Sequence, residues 1–276
     1  MSVDRSHGGC AVNIWMMGQM LIESGHRSTR FRGGMQGALL AVLISAQGQV
    51  MPFGTLSEEL WGGRQPDGME NALQAHASRL RRKLRALEPE RAEARLVARA
   101  GGYRLDLDGA ATDAITFASE VAAVQADPGL PPAVVSQRLR AVLSLWRGQV
   151  FGGAPVGMIA QAWAARLSAV RIAALEMLFD NELKLGLHSA IVPELSALVR
   201  SEALNERWCE QLMVALYRSG RQAEALGVYQ RMRQQMIEEL GVDPSPMLRN
   251  HERAILAHDD GLLIHGDHRL LRAVAR

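Results

Sequence analysis

Short apolar segments separated by turn signals predict β-strands near the start of the chain. Residues 12–17 and 20–23 flank Gly18, and residues 24–26, with the sequence Ser-Gly-His, are typical of a tight turn. Residues 28–31 are expected to return as a third strand. The pattern therefore predicts three short strands in succession.

Helical spacing begins after a pair of glycines. Between about residues 35 and 46, the apolar positions predict a helix with a single buried face, formed by Leu39, Leu40, Leu43 and Ile44. Residues 49–53 are expected to be extended. Thr55 and Glu58 have the spacing of a capping box, which predicts a second helix that ends at Trp61 before another pair of glycines.

A third helix is predicted over about residues 69–87. Its core-facing stripe consists of Leu73, Ala77, Leu80, Leu84 and Leu87. The opposite face is rich in arginines and amides and contains no acidic residue: Asn71, Ala75, Ser78, Arg82 and Arg85, flanked by His76 and Arg79 on one side and by Gln74 and Arg81 on the other. Basic side chains can replace the counterions of phosphates, and arginines and amides can read base edges, so this face is a candidate DNA-binding surface.

A β-hairpin is predicted after this helix. Residues 95–99 and 103–107 read as strands around a glycine-containing tip at residues 100–102, and Arg99 and Arg104 lie on the two strands. Helices followed by a basic hairpin are the order of a winged helix-turn-helix, in which the wing reaches an adjacent groove or the DNA backbone.

The rest of the chain reads as helical after a short polar junction at residues 108–112. We predict helices at residues 113–126, 132–146, 157–185, 188–202, 205–219, 221–239 and 245–258. Two helix–glycine–helix units recur 34 residues apart, which is the tetratricopeptide period. Such modules usually present a surface to another protein. The predicted organisation is a DNA-binding domain at residues 1–110, an all-helical domain at 111–260 and a tail at 261–276, and a fragment of residues 1–110 is expected to bind DNA by itself.

Charge is distributed unevenly along the 276 residues. The net charge is +2, but residues 1–110 carry 14 basic and 11 acidic side chains, whereas residues 111–276 carry 17 and 18. Five basic residues fall within seven consecutive positions of the third helix: Arg79, Arg81, Arg82, Lys83 and Arg85. Such a local block favours a polyanionic partner more than the total charge does.

Enzymatic and metal-binding motifs are absent from the sequence. It contains no phosphate-binding loop, dinucleotide fingerprint, nucleophile elbow, zinc-protease motif or Cys-x-x-Cys pair, so neither catalysis nor a cofactor is expected. Cys10 and Cys209 read as small apolar fillers, and Trp163 and Trp208 as core residues. The C-terminal histidines have no compact ligand spacing: His251, His258, His265 and His268. With no signal peptide and no membrane span predicted, we expect a cytoplasmic protein.

Several motifs together resemble a known family of bacterial regulators. The matching residues in the first half are 34–41, 60–62, 71–84 and 101–103, and those in the second half are 145–148, 211–226 and 239–246. The first set is similar to the OmpR-type winged helix of the Streptomyces antibiotic regulatory protein family, and the second to its bacterial transcriptional activation domain. The resemblance covers about residues 12–260. Residue 37 is Gly, where a basic residue is usual in the family.

The resemblance implies a pathway-specific activator of secondary-metabolite genes, including antibiotic biosynthesis genes. Such proteins bind direct repeats in promoter double-stranded DNA, contact RNA polymerase holoenzyme through its sigma factor or its alpha or beta subunits, and pair with a second protomer on the DNA at the nucleoid. By matching positions, Asn71, Ala75, His76, Arg79 and Arg82 would face bases or phosphates, and Arg99 would lie in the wing. The residues and the resemblance together give these candidate DNA contacts: Asn71, Gln74, Ala75, His76, Ser78, Arg79, Arg81, Arg82, Arg85, Arg99 and Arg104.

Two other functions fit the same residues. A repressor would use the same DNA-binding surface, and a promoter fusion separates it from an activator. A tetratricopeptide-type adaptor would use the winged helix to contact protein, and salt-sensitive binding to duplex DNA would argue against it.

Overall fold

The computed structural model describes residues 12–262. Within them the strands are β1 (Val12–Trp15), β2 (Met20–Ser24), β3 (Arg27–Phe31), β4 (Met51–Pro52), β5 (Leu96–Arg99), β6 (Gly102–Leu105) and β7 (Ala110–Thr112). The helices are α1 (Gly34–Ser45), α2 (Phe53–Trp61), α3 (Met69–Leu87), α4 (Asp113–Ala126), α5 (Pro132–Leu143), α6 (Met158–Lys184), α7 (His188–Ser201), α8 (Glu206–Arg218), α9 (Gln222–Leu240) and α10 (Pro246–Leu256), and Phe151–Gly153 forms a 3₁₀ turn. The predicted strands near the start and the predicted run of helices are both present.

Two small sheets frame the first three helices. The first sheet has the order β3-β2-β1-β7, with β1, β2 and β3 antiparallel and β7 parallel to β1. The second has the order β4-β6-β5 and is antiparallel throughout. Gly102 permits the close approach of β6 to β4, because a Cβ atom there would lie 2.2 Å from the Met51 carbonyl oxygen.

The central helix α1 is buried more completely than the sequence predicts. All residues from Gly37 to Ile44 are buried, not only one face. The helix packs against α2, α3 and β6, and a Cβ atom at Gly37 would lie 3.1 Å from the Met20 side chain. Neighbours on several sides therefore bury positions that helical periodicity alone assigns to the surface. Position 37 is one of these buried positions, so the basic side chain that is usual in the family would not reach solvent here.

Helix α2 begins earlier than predicted and without the expected capping box. Its N-cap is Pro52, which has no side-chain cap, and Thr55 lies inside the helix. The chain enters the helix directly from β4, where the Phe53 N–H donates to the Gly101 carbonyl oxygen at 2.9 Å. This tertiary hydrogen bond fixes the helix start in place of a local cap.

Helix α3 and the β5–β6 hairpin form the predicted winged-helix arrangement. The observed bounds of α3 are those predicted, and its buried residues are the predicted stripe: Leu73, Ala77, Leu80, Leu84 and Leu87. The hairpin turns at Gly101, whose φ of +78° favours glycine. We refer to this hairpin as the wing.

The stretch predicted as a polar junction at residues 108–112 contains strand β7 instead. Immediately after it, the Asp113 carboxylate, whose side chain is fully buried, accepts hydrogen bonds from the backbone N–H groups of Met16 and Met17, each at 3.0 Å. It also accepts from its neighbour Ala114 at 2.9 Å and from the Arg147 guanidinium at 3.2 Å. Residues nearly 100 positions apart are thereby joined at the end of β1.

A second long-range carboxylate contact holds the start of α6. The Glu59 side chain on α2 accepts hydrogen bonds from the backbone N–H groups of Ile159 at 2.8 Å and Ala160 at 3.3 Å. Gly157 lies against it so closely that a Cβ atom would be 2.6 Å from the Glu59 Cα atom. Glu59 therefore caps a helix that begins about 100 residues later.

Packing divides the chain into two compact units that are discontinuous in sequence. The first contains residues up to 126 together with 141–171, and the second contains residues 127–140 and those from 172 onward. The first unit includes both sheets and α1 to α4. The predicted domain division after residue 110 stays a prediction.

The second unit contains helix pairs with the predicted repeat. Helices α7, α8 and α9 pack in succession, and the turns that precede α7 and α9 each contain a glycine of positive φ, Gly186 at +77° and Gly220 at +74°. Arg140 and Ser136 of α5 both donate to the Glu182 carboxylate, at 2.6–2.9 Å. The 34-residue spacing thus corresponds to equivalent turns of consecutive helical hairpins.

The cysteines, tryptophans and histidines that the sequence singled out differ in burial. Trp208 and Cys209 are buried as predicted, and burial raises the pKa of the Cys209 thiol to about 12, whereas Trp163 is only half-buried. Cys10, His265, His268 and most of the predicted tail lie outside the described residues. Among residues 12–262, no group of three or more His, Cys, Asp or Glu side chains has the geometry of a metal site.

Candidate nucleic-acid interface

The outward face of α3 carries the largest group of predicted DNA contacts. Its stripe of buried leucines orients the helix, and seven predicted residues on the other side are exposed: Asn71, Gln74, Ala75, Ser78, Arg79, Arg82 and Arg85. The only acidic residue of the helix is Glu70, in its first turn. The structure thus brings amides and cations together on one continuous solvent-facing surface.

Three arginines of this face have no partner within the described chain. Within residues 12–262, the side chains of Arg79, Arg82 and Arg85 form no ion pair or hydrogen bond. In contrast, Arg95 beside the wing is buried and pairs with Glu88, and Arg91 pairs with Asp106. Exposed cations without an internal counter-charge are available to an external polyanion.

His76 lies at the edge of the face and is half-buried. Its ring centroid is 6.3 Å from that of Trp61, and its Nδ1 atom is buried without a hydrogen-bond partner in the described part of the chain. Burial, and then the neighbouring positive charge of Arg79, lower the pKa of this imidazole. In the free protein this favours the neutral imidazole, which can act as a hydrogen-bonding group.

Arg81 differs from the neighbouring arginines because it connects α3 to the wing. Its side chain is half-buried, and its Nε atom donates to the Leu96 carbonyl oxygen of β5 at 2.9 Å. Arg99 is exposed near the tip of the wing, and Arg104 is half-buried on β6. The wing thus contributes two basic side chains, of which Arg99 is the more accessible.

Lys83 is a positioning residue that the sequence did not single out as a contact. Its Nζ atom donates to the Gln36 side-chain oxygen at 2.6 Å and lies 5.2 Å from the centroid of the Phe31 ring. It therefore holds α3 against α1 and β3. The charge of Lys83 was visible in the sequence, but its direction depends on side chains almost 50 residues away.

Replacing Arg81 is expected to affect stability more than replacing Arg82. Arg81→Ala removes a charged donor from the Leu96 carbonyl and should lower the free energy of unfolding by about 1–3 kcal/mol. Arg82→Ala, at an exposed position of the same helix, should change it by less than about 0.5 kcal/mol. Urea denaturation of both full-length variants measures the difference, and equal stabilities would contradict the assigned role of Arg81.

Comparison with known proteins gives a family for this arrangement. Residues 33–105 match the family model described as "Transcriptional regulatory protein, C terminal", and residues 112–256 match the bacterial transcriptional activator domain. The chain is 37% identical over 258 residues to the transcriptional regulator RedD of Streptomyces coelicolor, covering 93% of this chain and 73% of RedD. The chain belongs to the Streptomyces antibiotic regulatory protein family. This confirms the family predicted from the sequence motifs.

Other members and a solved structure agree with this assignment. The regulatory protein AfsR of Streptomyces coelicolor is 40% identical over 233 residues, covering 82% of this chain but only 22% of AfsR. The structure of Mycobacterium tuberculosis EmbR in complex with a low-affinity phosphopeptide matches with a TM-score of 0.75 and 27% identity, covering 90% of this chain and 66% of the EmbR chain. The predicted mainly α-helical fold, a winged helix followed by an all-helical activation domain, is confirmed.

Membership in the Streptomyces antibiotic regulatory protein family makes the chain a transcriptional regulator. The relatives reported above are named as regulatory proteins, and both matching family models describe transcriptional regulators. Within residues 12–262, no helix combines the length and apolarity needed to cross a membrane.

Proposed function

We propose that this regulator is a sequence-specific DNA-binding activator of secondary-metabolite genes, such as those for antibiotic biosynthesis. Helix α3 enters the major groove of promoter DNA, and the wing contacts the adjacent groove or backbone. The helical second unit contacts RNA polymerase and a second protomer bound to the same DNA. This assignment extends the coarser conclusion that the chain regulates transcription.

The observation that carries the proposal is the outward face of α3 from Asn71 to Arg85, which contains no acidic residue. A solvated helix surface usually mixes both charges, whereas this one presents Arg79, Arg82 and Arg85 without internal counter-charges in the described chain. Amide side chains lie on the same face, and B-DNA's major groove accepts a helix. Arginines suit guanine and phosphates, and amides suit adenine, so the composition of the face fits base reading.

Neutralising this face is expected to weaken DNA binding without loss of folding. Arg79→Ala or Arg82→Ala should each cost about 1–3 kcal/mol of binding free energy if the side chain contacts a base, and should reduce the salt dependence if it contacts a phosphate. Fluorescence anisotropy with a footprinted promoter duplex, at several salt concentrations, measures both effects. Arg30→Ala, at an exposed position of β3, is the matched control and should bind like the parent protein. Unchanged binding after neutralisation of all basic residues from 79 to 85 would refute the assignment of α3.

Direct repeats impose a geometric expectation. Two protomers in head-to-tail orientation on one face of a duplex need half-sites about one helical turn, or 10–11 bp, apart. Inserting about half a turn between the repeats places the second protomer on the opposite face, so cooperative binding should be lost. Gel-shift titration of both duplexes measures cooperativity, with a full-turn insertion as the control; equal cooperativity with the half-turn insertion would exclude this arrangement.

Activation is distinguished from the other functions by the output of a promoter. A fusion of the footprinted promoter to a reporter should gain expression when the regulator is supplied, whereas a repressor would lower it. In-vitro transcription with purified RNA polymerase tests whether contact with the polymerase is sufficient. DNA binding that does not depend on salt, or no DNA binding, would favour a tetratricopeptide-type adaptor.

A further inference from the structure

A groove in the second compact unit lies between α7 and α9, with α8 at its floor. Its volume is about 890 Å³. The floor consists of the edges of four side chains that are packed into the helical core: Leu212, Leu216, Val228 and Met232. Small residues form much of the rim, namely Ser196, Ala203, Ala223 and Gly227. We refer to this feature as the α7–α9 groove, and its lining can receive apolar side chains from another molecule.

Gly227 keeps one side of the groove open. It lies in the interior of α9, where glycine costs about 1 kcal/mol relative to alanine. Apart from the backbone of its own helix, a Cβ atom there would meet only the end of the Arg231 side chain, 3.4 Å away, so no neighbour in the described part of the chain requires a glycine. The space beside Gly227 is therefore available to a partner that approaches the helix backbone closely.

The groove has an excess of positive charge. Arg221 pairs with Glu224 at 2.7 Å, and these two charges offset each other. Arg200 and Arg231 are exposed on the same lining, and neither side chain forms an ion pair or a hydrogen bond within residues 12–262. A partner that fits the groove should therefore bring carboxylates together with apolar side chains.

The turn between α9 and α10, in the same compact unit, exposes a cluster of large apolar side chains. Four of them fall within eleven residues: Ile237, Leu240, Val242 and Met247. Leu240 is 57% exposed and Met247 is 59% exposed. Clustered exposed apolar side chains mark surfaces that contact another protein. We refer to residues 237–247 as the apolar turn.

The apolar turn also carries negative charge. Glu238 and Glu239 are exposed, and each accepts a hydrogen bond from the amide of the glutamine four residues earlier, at 2.9 Å and 2.7 Å. A neutral donor leaves the charge of each carboxylate uncompensated, whereas the nearby Asp243 pairs with Arg233. The apolar turn therefore matches the α7–α9 groove in apolar character and is opposite to it in charge.

The two surfaces lie on opposite sides of one helix. Leu240 follows Arg231 by nine residues, which is about two and a half turns around α9 and about 14 Å along its axis. One copy therefore cannot place its apolar turn in its own groove, but it can offer the turn to one neighbour and the groove to another. A contact between two different patches is heterologous, joins copies head to tail and needs no two-fold axis.

We propose that the apolar turn of one protomer docks into the α7–α9 groove of a second copy of this chain. Leu240 enters the groove beside Gly227, and the two glutamates of the turn approach Arg200 and Arg231. Copies joined in this way point in the same direction, as direct repeats require. The use of the contact on DNA rests on the proposed function, whereas the contact itself does not.

Sedimentation equilibrium of the full-length protein without DNA tests the contact directly. The parent should associate with a dissociation constant of about 10–500 µM, and the association should weaken at least threefold between about 0.1 M and 0.5 M salt. Its average mass should rise beyond that of a dimer as the concentration increases, because each added copy leaves one groove and one turn free. A parent that stays monomeric at about 500 µM, or that stops at a closed dimer, would overturn the proposal.

Two variants block the two sides of the contact. Leu240→Asp removes the apolar anchor, Gly227→Phe fills the groove, and each should weaken association at least tenfold. An equal mixture of the two should form dimers and nothing larger, because only the turn of the Gly227→Phe copy and the groove of the Leu240→Asp copy remain intact. The matched controls are Leu185→Asp, at an exposed leucine outside both surfaces, and Ala197→Phe, at an exposed position of α7 that does not line the groove. Both controls should associate like the parent, and equal association of the blocked variants and the controls would refute the location.

Charge reversal at exposed positions tests the same contact without changing the packing. Arg231→Glu and Glu239→Arg should each weaken association at least threefold. A mixture of these two variants should recover it, because the reversed turn then meets the reversed groove and the unchanged turn meets the unchanged groove. Failure of this mixture to associate more tightly than either variant alone would contradict the pairing of these surfaces.

The role on DNA is measured separately by gel-shift titration. Leu240→Asp and Gly227→Phe should bind a duplex with one half-site like the parent but should lose cooperativity on a duplex with two direct repeats. Cooperativity equal to that of the parent would exclude a role of the contact on DNA. If the parent binds no DNA at all, the proposed function fails, and sedimentation still decides whether the contact exists.

Discussion

Asp113→Ala is expected to lower the free energy of unfolding by about 3–5 kcal/mol. The substitution leaves the N–H groups of Met16 and Met17 without an acceptor in the interior and separates Arg147 from its counter-charge. Urea denaturation followed by circular dichroism measures the loss. Asp108→Ala, at an exposed position shortly before β7, is the matched control and should change stability by less than about 0.5 kcal/mol.

Protonation of Asp113 is linked to the stability of the fold. Burial raises the pKa of this carboxyl above its usual value, and the N–H groups and Arg147 only partly offset that effect. Because the folded state then binds the proton more tightly than the unfolded state, this group's contribution to stability falls as pH rises from about 3.8 through the folded pKa. Asp113→Asn keeps one acceptor oxygen but turns an amide NH2 toward N–H groups that the other oxygen had accepted from, so it should lose less stability than Asp113→Ala without matching the parent. Equal losses would show that the charge, not the hydrogen bonding, is decisive.

A fragment of residues 1–110 is expected not to fold, in contrast to the expectation from sequence alone. It ends inside the parallel pairing of β7 with β1 and lacks both Asp113 and the loop that is bonded to Met16 and Met17. The loss of several such contacts is large beside a typical total stability of about 5–15 kcal/mol. The fragment should show no cooperative thermal transition.

A fragment of residues 1–171 is the matched comparison because it contains all of the first compact unit. It should unfold cooperatively and retain salt-dependent affinity for the promoter duplex. Circular dichroism melts and anisotropy measure both properties. Cooperative unfolding and full DNA affinity of residues 1–110 would instead establish the division after residue 110.

The parts of the fold that the sequence predicted are those determined by local periodicity. The bounds of α3 and α4 agree with the prediction because each helix has one clear apolar stripe or a distinct start, and the hairpin at Gly101 has an unambiguous turn signal. Long-range contacts produced the differences. Neither Asp113 nor Glu59 has a recognisable partner nearby in sequence, because each partner is about 100 residues away.

In the candidate interface too, long-range contacts that the sequence does not reveal decide the role of single side chains. Helical spacing placed Arg81 and Arg82 on one face, and both remain candidate DNA contacts. Only the folded chain shows that Arg81 is used to hold the wing, because that depends on the position of the Leu96 carbonyl. A stretch of basic residues therefore identifies a surface, but not which of its members are already engaged within the protein.

The discontinuous first unit has a consequence for synthesis on the ribosome. Its last segment ends at residue 171, so the unit cannot be completed when the wing has emerged, about 60 residues earlier. At bacterial elongation rates of about 5–20 residues per second, that interval lasts roughly 3–12 s. During this time β1 lacks part of the structure that packs against it, including Asp113 and the loop after residue 146 that bond to Met16 and Met17. The nascent chain thus passes through a period in which molecular chaperones have access to it, and slow translation of residues 111–171 should prolong that exposure.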